Sequence, residues 1–248
     1  MTVRPTLFAT PMVCAILEDR KTQTRRVLVP QPTMKPGVNP DFSQFRAFPH
    51  GRDHWCLHGS NEASEPFEIR YAAGDLLWVR EAWRTPESLD GLSPRQIAER
   101  CEELGYRGPW CPRVTEADNL THQWCEEDGF RDDEPAGRLR AARHMPRWAS
   151  RLTLKVTNVR VQRVQAISDQ DAMAEGVEVA VAPVAGRDID IDGDYWPGGP
   201  RRMFKTLWNG LNEARGFGWE TNPWVVAVTF SAIKANVDKV LEDEARAA

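Results

Sequence analysis

The segment Asp19-Arg20-Lys21-Thr22-Gln23-Thr24-Arg25-Arg26 contains four cations within seven residues and directly follows an apolar stretch of the chain. Thr10-Pro11 before that stretch is a typical helix start, since proline fits the first turn of a helix. Apolar residues then recur at helical spacing, namely Met12, Val13, Ile16 and Leu17. We therefore predict a first helix over residues 11–19, with the cationic segment at its carboxyl end.

The cationic segment admits two interpretations. Cations near the carboxyl end of a helix are stabilised by the helix dipole, which requires no further function. Alternatively, Lys21 precedes Thr24 by three residues, so a continued helix would bring an amine and a hydroxyl to one face. A lysine whose pKa is depressed, here by Arg20, Arg25 and Arg26, can take the proton of an alcohol nucleophile. Lys21 and Thr24 are then a candidate base and nucleophile.

The composition is that of an ordinary globular protein. Of the 248 residues, 41% are hydrophobic and 27% are charged, which excludes disordered, collagen-like and coiled-coil classes. No stretch approaches the roughly 18 apolar residues of a membrane span, and the amino terminus has no apolar leader, so we expect a cytoplasmic protein. Five cysteines without a signal peptide favour reduced thiols. A net charge of -4 limits any polyanion contact to a local surface.

Periodicity and turn residues predict the other elements of the fold. Strands are expected at residues 76–83, 150–164 and 224–233, a short helix from Ser168 to Gly176, and an amphipathic helix at residues 202–214.

The remaining segments are polar or rich in proline and glycine. We interpret those near residues 30–70, 84–143 and 178–201 as insertions, the second with a short helix at residues 94–104. The order of elements favours a single α+β domain over residues 1–233, with a small mixed sheet or barrel and flanking helices. Residues 234–248 are expected to form a charged tail.

The cationic segment closely resembles the signature G-x-K-x-x-[E/T]-x-R of the ASCH domain, a PUA-like β-barrel family. Further blocks resemble the phage-encoded branch of that family, at residues 10–13, 74–81, 144–151 and 222–225. The likeness runs over residues 7–233, interrupted by the insertions, and Asp19 stands where the signature carries glycine. The resemblance implies a small mixed β-barrel with flanking helices and long loop insertions.

The resemblance also implies a cleft that binds RNA or nucleosides. One bacterial branch, the N4-acetylcytidine amidohydrolases, uses a lysine, a threonine and a glutamate, which fall here on Lys21, Thr24 and Glu175. Glu175 is assigned from the pattern A-x-x-E at residues 172–175, although a glutamate before Gly176 is also typical of a solvated helix end. Thr24 would attack the acyl carbonyl, Lys21 would act as base, and Glu175 would hold the ammonium or relay a proton.

Other residues are candidates for contact with a substrate or nucleic acid. Arg20, Arg25 and Arg26 belong to the cationic segment itself. On the strand predicted at residues 76–83, Arg80 shares a face with Trp78, and Glu81 and Trp83 share the other face. Glu81 is suited to bind the exocyclic amine of a cytosine-like base and Trp83 to stack on it. A buried partner for a cation and an ordinary core tryptophan are the respective alternatives.

Five arginines lie within fourteen residues and lead into a predicted strand: Arg138, Arg140, Arg143, Arg147 and Arg151. They predict either a surface that follows phosphates or a solvated loop paired with the acidic run at residues 126–134. The leading function is hydrolysis of an N4-acylated cytidine or a related modified nucleoside. The alternatives are a non-catalytic RNA- or DNA-binding module and a phage accessory protein that acts through partner binding.

No metal or cofactor site is predicted. The groups of cysteine and histidine lack paired C-x₂-C spacing, and the acidic loop at residues 188–199 has glycine where a calcium loop needs a bidentate glutamate. Nothing resembles a phosphate-binding glycine-rich loop or a dinucleotide fingerprint.

Overall fold

The computed structural model of the protein describes residues 1–33, 46–51, 54–58, 64–103, 113–118, 121–122, 135–177 and 199–247. Within these ranges it combines helices with several sheets, which confirms the predicted α+β class. The described strands form open sheets, and none of these closes into the predicted barrel. Most of the predicted insertion at residues 178–201 and the acidic run at residues 126–134 lie outside the described residues.

Eleven strands and five α-helices occur in the described part of the chain. The strands are β1 (Val3–Leu7), β2 (Gln23–Val27), β3 (Arg46–Pro49), β4 (His54–His58), β5 (Phe67–Glu68), β6 (Leu76–Arg80), β7 (Trp83–Arg84), β8 (Arg113–Thr115), β9 (Thr121–His122), β10 (Thr153–Arg163) and β11 (Trp224–Ile233). The helices are α1 (Thr10–Leu17), α2 (Pro94–Glu103), α3 (Asp169–Ala174), α4 (Pro200–Asn212) and α5 (Val237–Ala247).

The chain divides into two compact units, each assembled from separate segments. The first unit comprises Met1–Asp19, Gly74–Lys155 and Ser231–Ala248. In it β1 pairs with β6 in parallel, and the start of β10 pairs with β6 in the antiparallel direction. The face of α5 that carries Val237 and Val240 packs on Leu76 and Trp78 of β6. The carboxyl-terminal segment is therefore a helix with a buried face, and not only the charged tail that the sequence predicted.

The second unit comprises Arg20–Ala73 and Val156–Phe230. Here β11 pairs with β2 in the antiparallel direction, from Val225 opposite Val27 to Thr229 opposite Gln23. A core beside these strands combines residues of α3, α4 and β11 with residues of the segments that precede α3 and β11: Val164, Ile167, Ala172, Phe204, Trp208, Trp219 and Val225. The apolar face of α4 supplies the aromatic part of this core, as the amphipathic pattern of residues 202–214 predicted.

Long periodic elements lie close to where the sequence predicted them. β10 is one continuous strand, α2 and α4 cover the predicted helices, and β11 has the predicted limits. Shorter or polar elements were not predicted: β1, the β3–β4 hairpin within the expected loop, and β2 within the cationic segment. A helix that continued through Lys21 was thus the wrong expectation, because residues 23–27 hydrogen-bond to β11 as a strand.

The change from helix to strand takes place at Asp19. α1 ends at Leu17, and the backbone amides of Glu18 and Asp19 donate to the carbonyls of Cys14 and Ile16. Asp19 has a φ of 58°, in the left-handed region that glycine adopts freely and that aspartate tolerates better than most residues. This is the position at which the ASCH signature carries glycine.

Substitutions at Asp19 test this conformational requirement. We expect Asp19→Gly to leave the free energy of unfolding unchanged or raise it by up to about 1 kcal/mol, because glycine removes the left-handed penalty. Asp19→Val should lower it by about 1–2 kcal/mol. Urea denaturation measures both, and Glu18→Val, at a neighbouring exposed residue with a negative φ, is the matched control. Equal losses in the two valine variants would contradict the argument.

Candidate active site

The cationic segment is held in the second unit as an extended chain between α3 and β11. Lys21 forms an isolated antiparallel bridge with Glu175. The amide of Thr22 donates to the carbonyl of Ala174, and the carbonyl of Thr22 accepts from the amide of Phe230, each at 2.9 Å. Backbone hydrogen bonds on both sides of Thr22 therefore fix the register of the segment.

α3 presents two carboxylates to this segment. The Ser168 hydroxyl caps its first turn by accepting from the amide of Asp171 at 3.1 Å. Glu175 occupies the carboxyl cap, and Gly176 follows with a φ of 83°. These two residues bound the short helix that the sequence predicts from Ser168 to Gly176. Because Asp171 and Glu175 are four residues apart, they share one side of the helix.

Lys21 and Glu175 form a buried ion pair. The Lys21 Nζ lies 2.9 Å from the Glu175 Oε2 and also donates to the Glu175 carbonyl at 2.7 Å. The two side chains are 3% and 4% exposed. Burial lowers the pKa of Lys21; the Glu175 carboxylate raises it in part, and the charges of Arg26 and Arg25 lower it further. Lys21 can therefore lose its proton more readily than an ordinary lysine.

Arg25 extends the ion pair into a network. Its Nη1 lies 3.0 Å from the Glu175 Oε1, and its Nη2 lies 2.9 Å from the Asp171 Oδ2. Gln23 and Arg160 also donate to Asp171, at 3.2 and 2.9 Å. Partial burial would raise the pKa of Asp171, but the hydrogen bond from Arg160 and the charges of Arg25 and Arg160 outweigh it and lower the pKa.

Thr24 lies on β2 between Gln23 and Arg25. Side chains alternate along a strand, so Thr24 and Arg26 project to the side opposite Gln23 and Arg25. The predicted sharing of one helical face by Lys21 and Thr24 is thus replaced by a strand geometry. Lys21 and Arg25 contact the same Glu175 carboxylate, so the Lys21 amine lies on the side opposite Thr24. Thr24 itself is 5% exposed.

The remaining cations of the segment lie at its borders. Arg20 is partly buried, and its Nη1 donates to the carbonyl of Gly176 at 3.4 Å. Arg26 is also partly buried. Both are close in the chain to Lys21.

Glu81 and Trp83, predicted to contact a base, are both buried in the first unit. Glu81 is 2% exposed, and Arg151 Nε and Nη2 bind its two oxygens at 2.8 and 3.0 Å. Trp83 is 0% exposed and packs edge-on against Trp148. β6 ends at Arg80, so the alternation predicted through residue 83 does not continue. A fully buried Trp83 offers no stacking face, and Glu81 is the buried partner of a cation.

The arginine cluster is also held mainly by neighbouring groups. Arg140 lies 3.5 Å from Asp90, Arg147 2.5 Å from Asp238, and Arg151 contacts Asp118 as well as Glu81. Arg138 and Arg143 are exposed. Arg80 stacks on Trp78, with its guanidinium carbon 4.6 Å from the ring centre, and donates to the Arg143 carbonyl. Carboxylates thus pair with three of the five arginines, but none of them belongs to the acidic run at residues 126–134, which lies outside the described residues.

Two kinds of feature are absent from the described residues. No cluster of three or more histidine, cysteine, aspartate or glutamate side chains in these ranges is arranged to hold a metal ion. No helix in the same ranges is long and apolar enough to cross a membrane. Cys14, Cys56 and Cys101 form no disulfide within the described residues, and Cys111 and Cys125 lie outside them.

Comparisons with protein-family models, with curated proteins and with solved structures found no match for this chain. The site therefore has to be judged on its own residues.

Sequence reasoning missed two groups of the network, Asp171 and Arg160, and assigned Gln23 no role. One signal was available. Lys21, Gln23 and Arg25 alternate at the period of a strand, which predicts three polar side chains on one face. Their partners follow only from the fold, because Asp171 is 146 positions further along the chain than Arg25.

The lowered pKa of Lys21 predicts a pH dependence of stability. Between that lowered pKa and about 10.4 the unfolded state binds the proton that the folded state has lost, so stability rises with pH. Across this window, the free energy of unfolding of the wild type should rise relative to that of Lys21→Met, with a slope of at most about 1.4 kcal/mol per pH unit. Urea denaturation at a series of pH values measures the difference. Lys205→Met, which removes a lysine paired with Glu220, controls for the loss of one lysine, and parallel curves for wild type and Lys21→Met would contradict the prediction.

The surroundings of Glu81 predict a large stability effect at that residue. Glu81→Gln breaks a pair whose side chains are 2% and 10% exposed, so we expect a loss of about 3–5 kcal/mol. Arg147→Met breaks a pair whose side chains are 41% and 38% exposed and should cost no more than about 1 kcal/mol. Similar losses in the two variants, measured by urea denaturation, would show that Glu81 is not the buried partner described.

Proposed function

We propose that the protein is an amide hydrolase that acts on an N4-acylated cytidine or a related modified nucleoside. The observation that carries the proposal is the buried ion pair between Glu175 and Lys21, which belongs to the segment that resembles the ASCH signature. General-base catalysis requires a group that exchanges its proton near neutral pH, and burial moves Lys21 in that direction.

The proposed reaction follows nucleophilic acyl transfer. Thr24 Oγ forms a bond to the acyl carbon, and because its side chain and that of Lys21 lie on opposite sides of the segment, its hydroxyl proton passes through one water molecule to Lys21 Nζ. The bond between the acyl carbon and N4 then breaks, and N4 takes a proton from the Lys21 ammonium and leaves as the free amine of cytidine. Water hydrolyses the resulting ester and regenerates Thr24. Glu175 holds the Lys21 ammonium while the proton is on it, through the 2.9 Å contact.

The resemblance to ASCH domains supports the proposal through the conformations of its blocks. Asp19, at the glycine position of the signature, is left-handed, and so is Gly74 at the start of the second block. Asn222, which opens the last block, has a φ of 44° and precedes β11. Three of the five blocks thus begin at a residue with a positive φ. On this basis we infer that the fold is PUA-like. The described strands form open sheets.

A direct assay tests the proposed activity. Purified protein is incubated with N4-acetylcytidine, and cytidine is detected by mass spectrometry. We expect turnover by the wild type and a loss of at least about 100-fold in Lys21→Ala and Thr24→Ala, because each removes a group that handles the transferred proton. Thr22→Ala, an exposed threonine two positions away, and Lys205→Ala are the matched controls and should retain activity.

The variants also separate the competing functions. If Thr24→Ala retains activity and Lys21→Ala loses it, the nucleophile is a water molecule and not Thr24. A folded wild type without turnover would overturn the hydrolase proposal. Binding of RNA or DNA that falls steeply with salt would then favour the non-catalytic binding module.

A further inference from the structure

Glu175 divides its two carboxylate oxygens between two buried cations. Lys21 Nζ lies 2.9 Å from Oε2, and Arg25 Nη1 lies 3.0 Å from Oε1. The Arg25 side chain is 0% exposed and that of Glu175 is 4% exposed. Because water has little access, the position of the carboxylate is set by these two partners.

Arg25 is fixed at its other end as well. Its Nη2 binds the Asp171 Oδ2 at 2.9 Å, and its Nη1 also donates to the Gln23 Oε1 at 2.5 Å. The guanidinium carbon lies 5.7 Å from the centre of the Phe204 ring. Arg160 holds the second oxygen of Asp171 at 2.9 Å. These contacts prevent the guanidinium from turning away from Glu175.

We propose that Arg25 is a positioning residue of the candidate active site, which holds Glu175 so that the carboxylate meets the Lys21 amine through one oxygen only. The inference rests on the proposed function, since it concerns Lys21 in its role as base. Arg25 occupies a position that the ASCH signature leaves unspecified, so the proposal comes from the contacts of this chain alone.

The charges around Lys21 give the expected direction of the effect. Burial lowers the pKa of Lys21, Glu175 raises it, and Arg26 and Arg25 lower it. Asp171 and Arg160 carry opposite charges, and Asp171 is linked to Glu175, the partner of Lys21, through Arg25. Removal of Arg25 takes away one cation and leaves both oxygens of Glu175 to Lys21, and both changes raise the pKa of Lys21.

The titration of Lys21 can be followed directly by NMR, since the chain has only 6 lysines. The probe is protein labelled with ¹⁵N and ¹³C in lysine, and the Lys21 signal is the one missing from Lys21→Met. We expect Arg25→Gln to raise the midpoint by roughly one pH unit. Arg25→Lys, which keeps the charge, should raise it less. Arg160→Gln is the matched control, because Arg160 binds the same Asp171 without contacting Glu175, and it should have the smallest effect.

Kinetics with N4-acetylcytidine supply a second readout. Activity should rise with pH as Lys21 loses its proton, so this limb of the kcat/KM profile should move to higher pH in Arg25→Gln. At pH 7 the rate should fall about tenfold and recover as the pH is raised. A residue that only supported the fold would lower the rate equally at all pH values. Arg25→Lys carries the test if Arg25→Gln does not fold.

The outcomes separate this inference from the proposed function. An unchanged Lys21 midpoint in a folded Arg25 variant would overturn the inference while leaving a hydrolase active through Lys21. An equal shift in Arg160→Gln would overturn it too, because the direct contact with Glu175 would not be the cause. Absence of turnover by the wild type would overturn the proposed function and, with it, the positioning role of Arg25.

Discussion

Burial of two cations, Lys21 just before β2 and Arg25 on it, is the constraint on which the second unit depends. The side chains of Lys21 and Arg25 are 3% and 0% exposed, and moving one such charge out of water costs several kcal/mol. Two carboxylates must therefore reach them, and α3 supplies both. With six residues, α3 is too short to be stable alone. Its contacts with Lys21 and Arg25 therefore stabilise α3 as well as the two cations.

The choice of lysine at position 21 is consistent with the proposed proton transfer. Arginine is the better residue for a purely structural buried pair, since its planar guanidinium binds a carboxylate through two hydrogen bonds and keeps its charge. The chain prefers arginine strongly, with 26 arginines to 6 lysines. Lysine differs in that burial can bring its deprotonation towards neutral pH. Its presence beside Arg25 places one fixed and one exchangeable charge on the same carboxylate.

Sequence reasoning predicted the parts of the fold that depend on long apolar periods, such as β10, β11 and α4. It failed where polar residues are buried. The residues of β2 show no apolar alternation, and their burial makes sense only with the carboxylates of α3, which are remote in the chain. It also failed at Trp83. The run of strand-forming residues extends to Trp83, but β6 ends at Arg80. The contact of Lys21 with Glu175 was anticipated through the family resemblance, whereas Asp171 and Arg160 had no local signal.

The first unit contains a second buried ion cluster, and its chemistry shows why the site is assigned to the other unit. Arg151 binds Glu81 and Asp118. Burial alone would lower the pKa of Arg151, but its hydrogen bonds and the charges of the two carboxylates outweigh this and raise the pKa. A guanidinium held in this way stays charged at every pH at which the protein is folded, so it fixes position and transfers no proton. Of these two buried clusters, only that of Lys21 contains a cation able to act as a base.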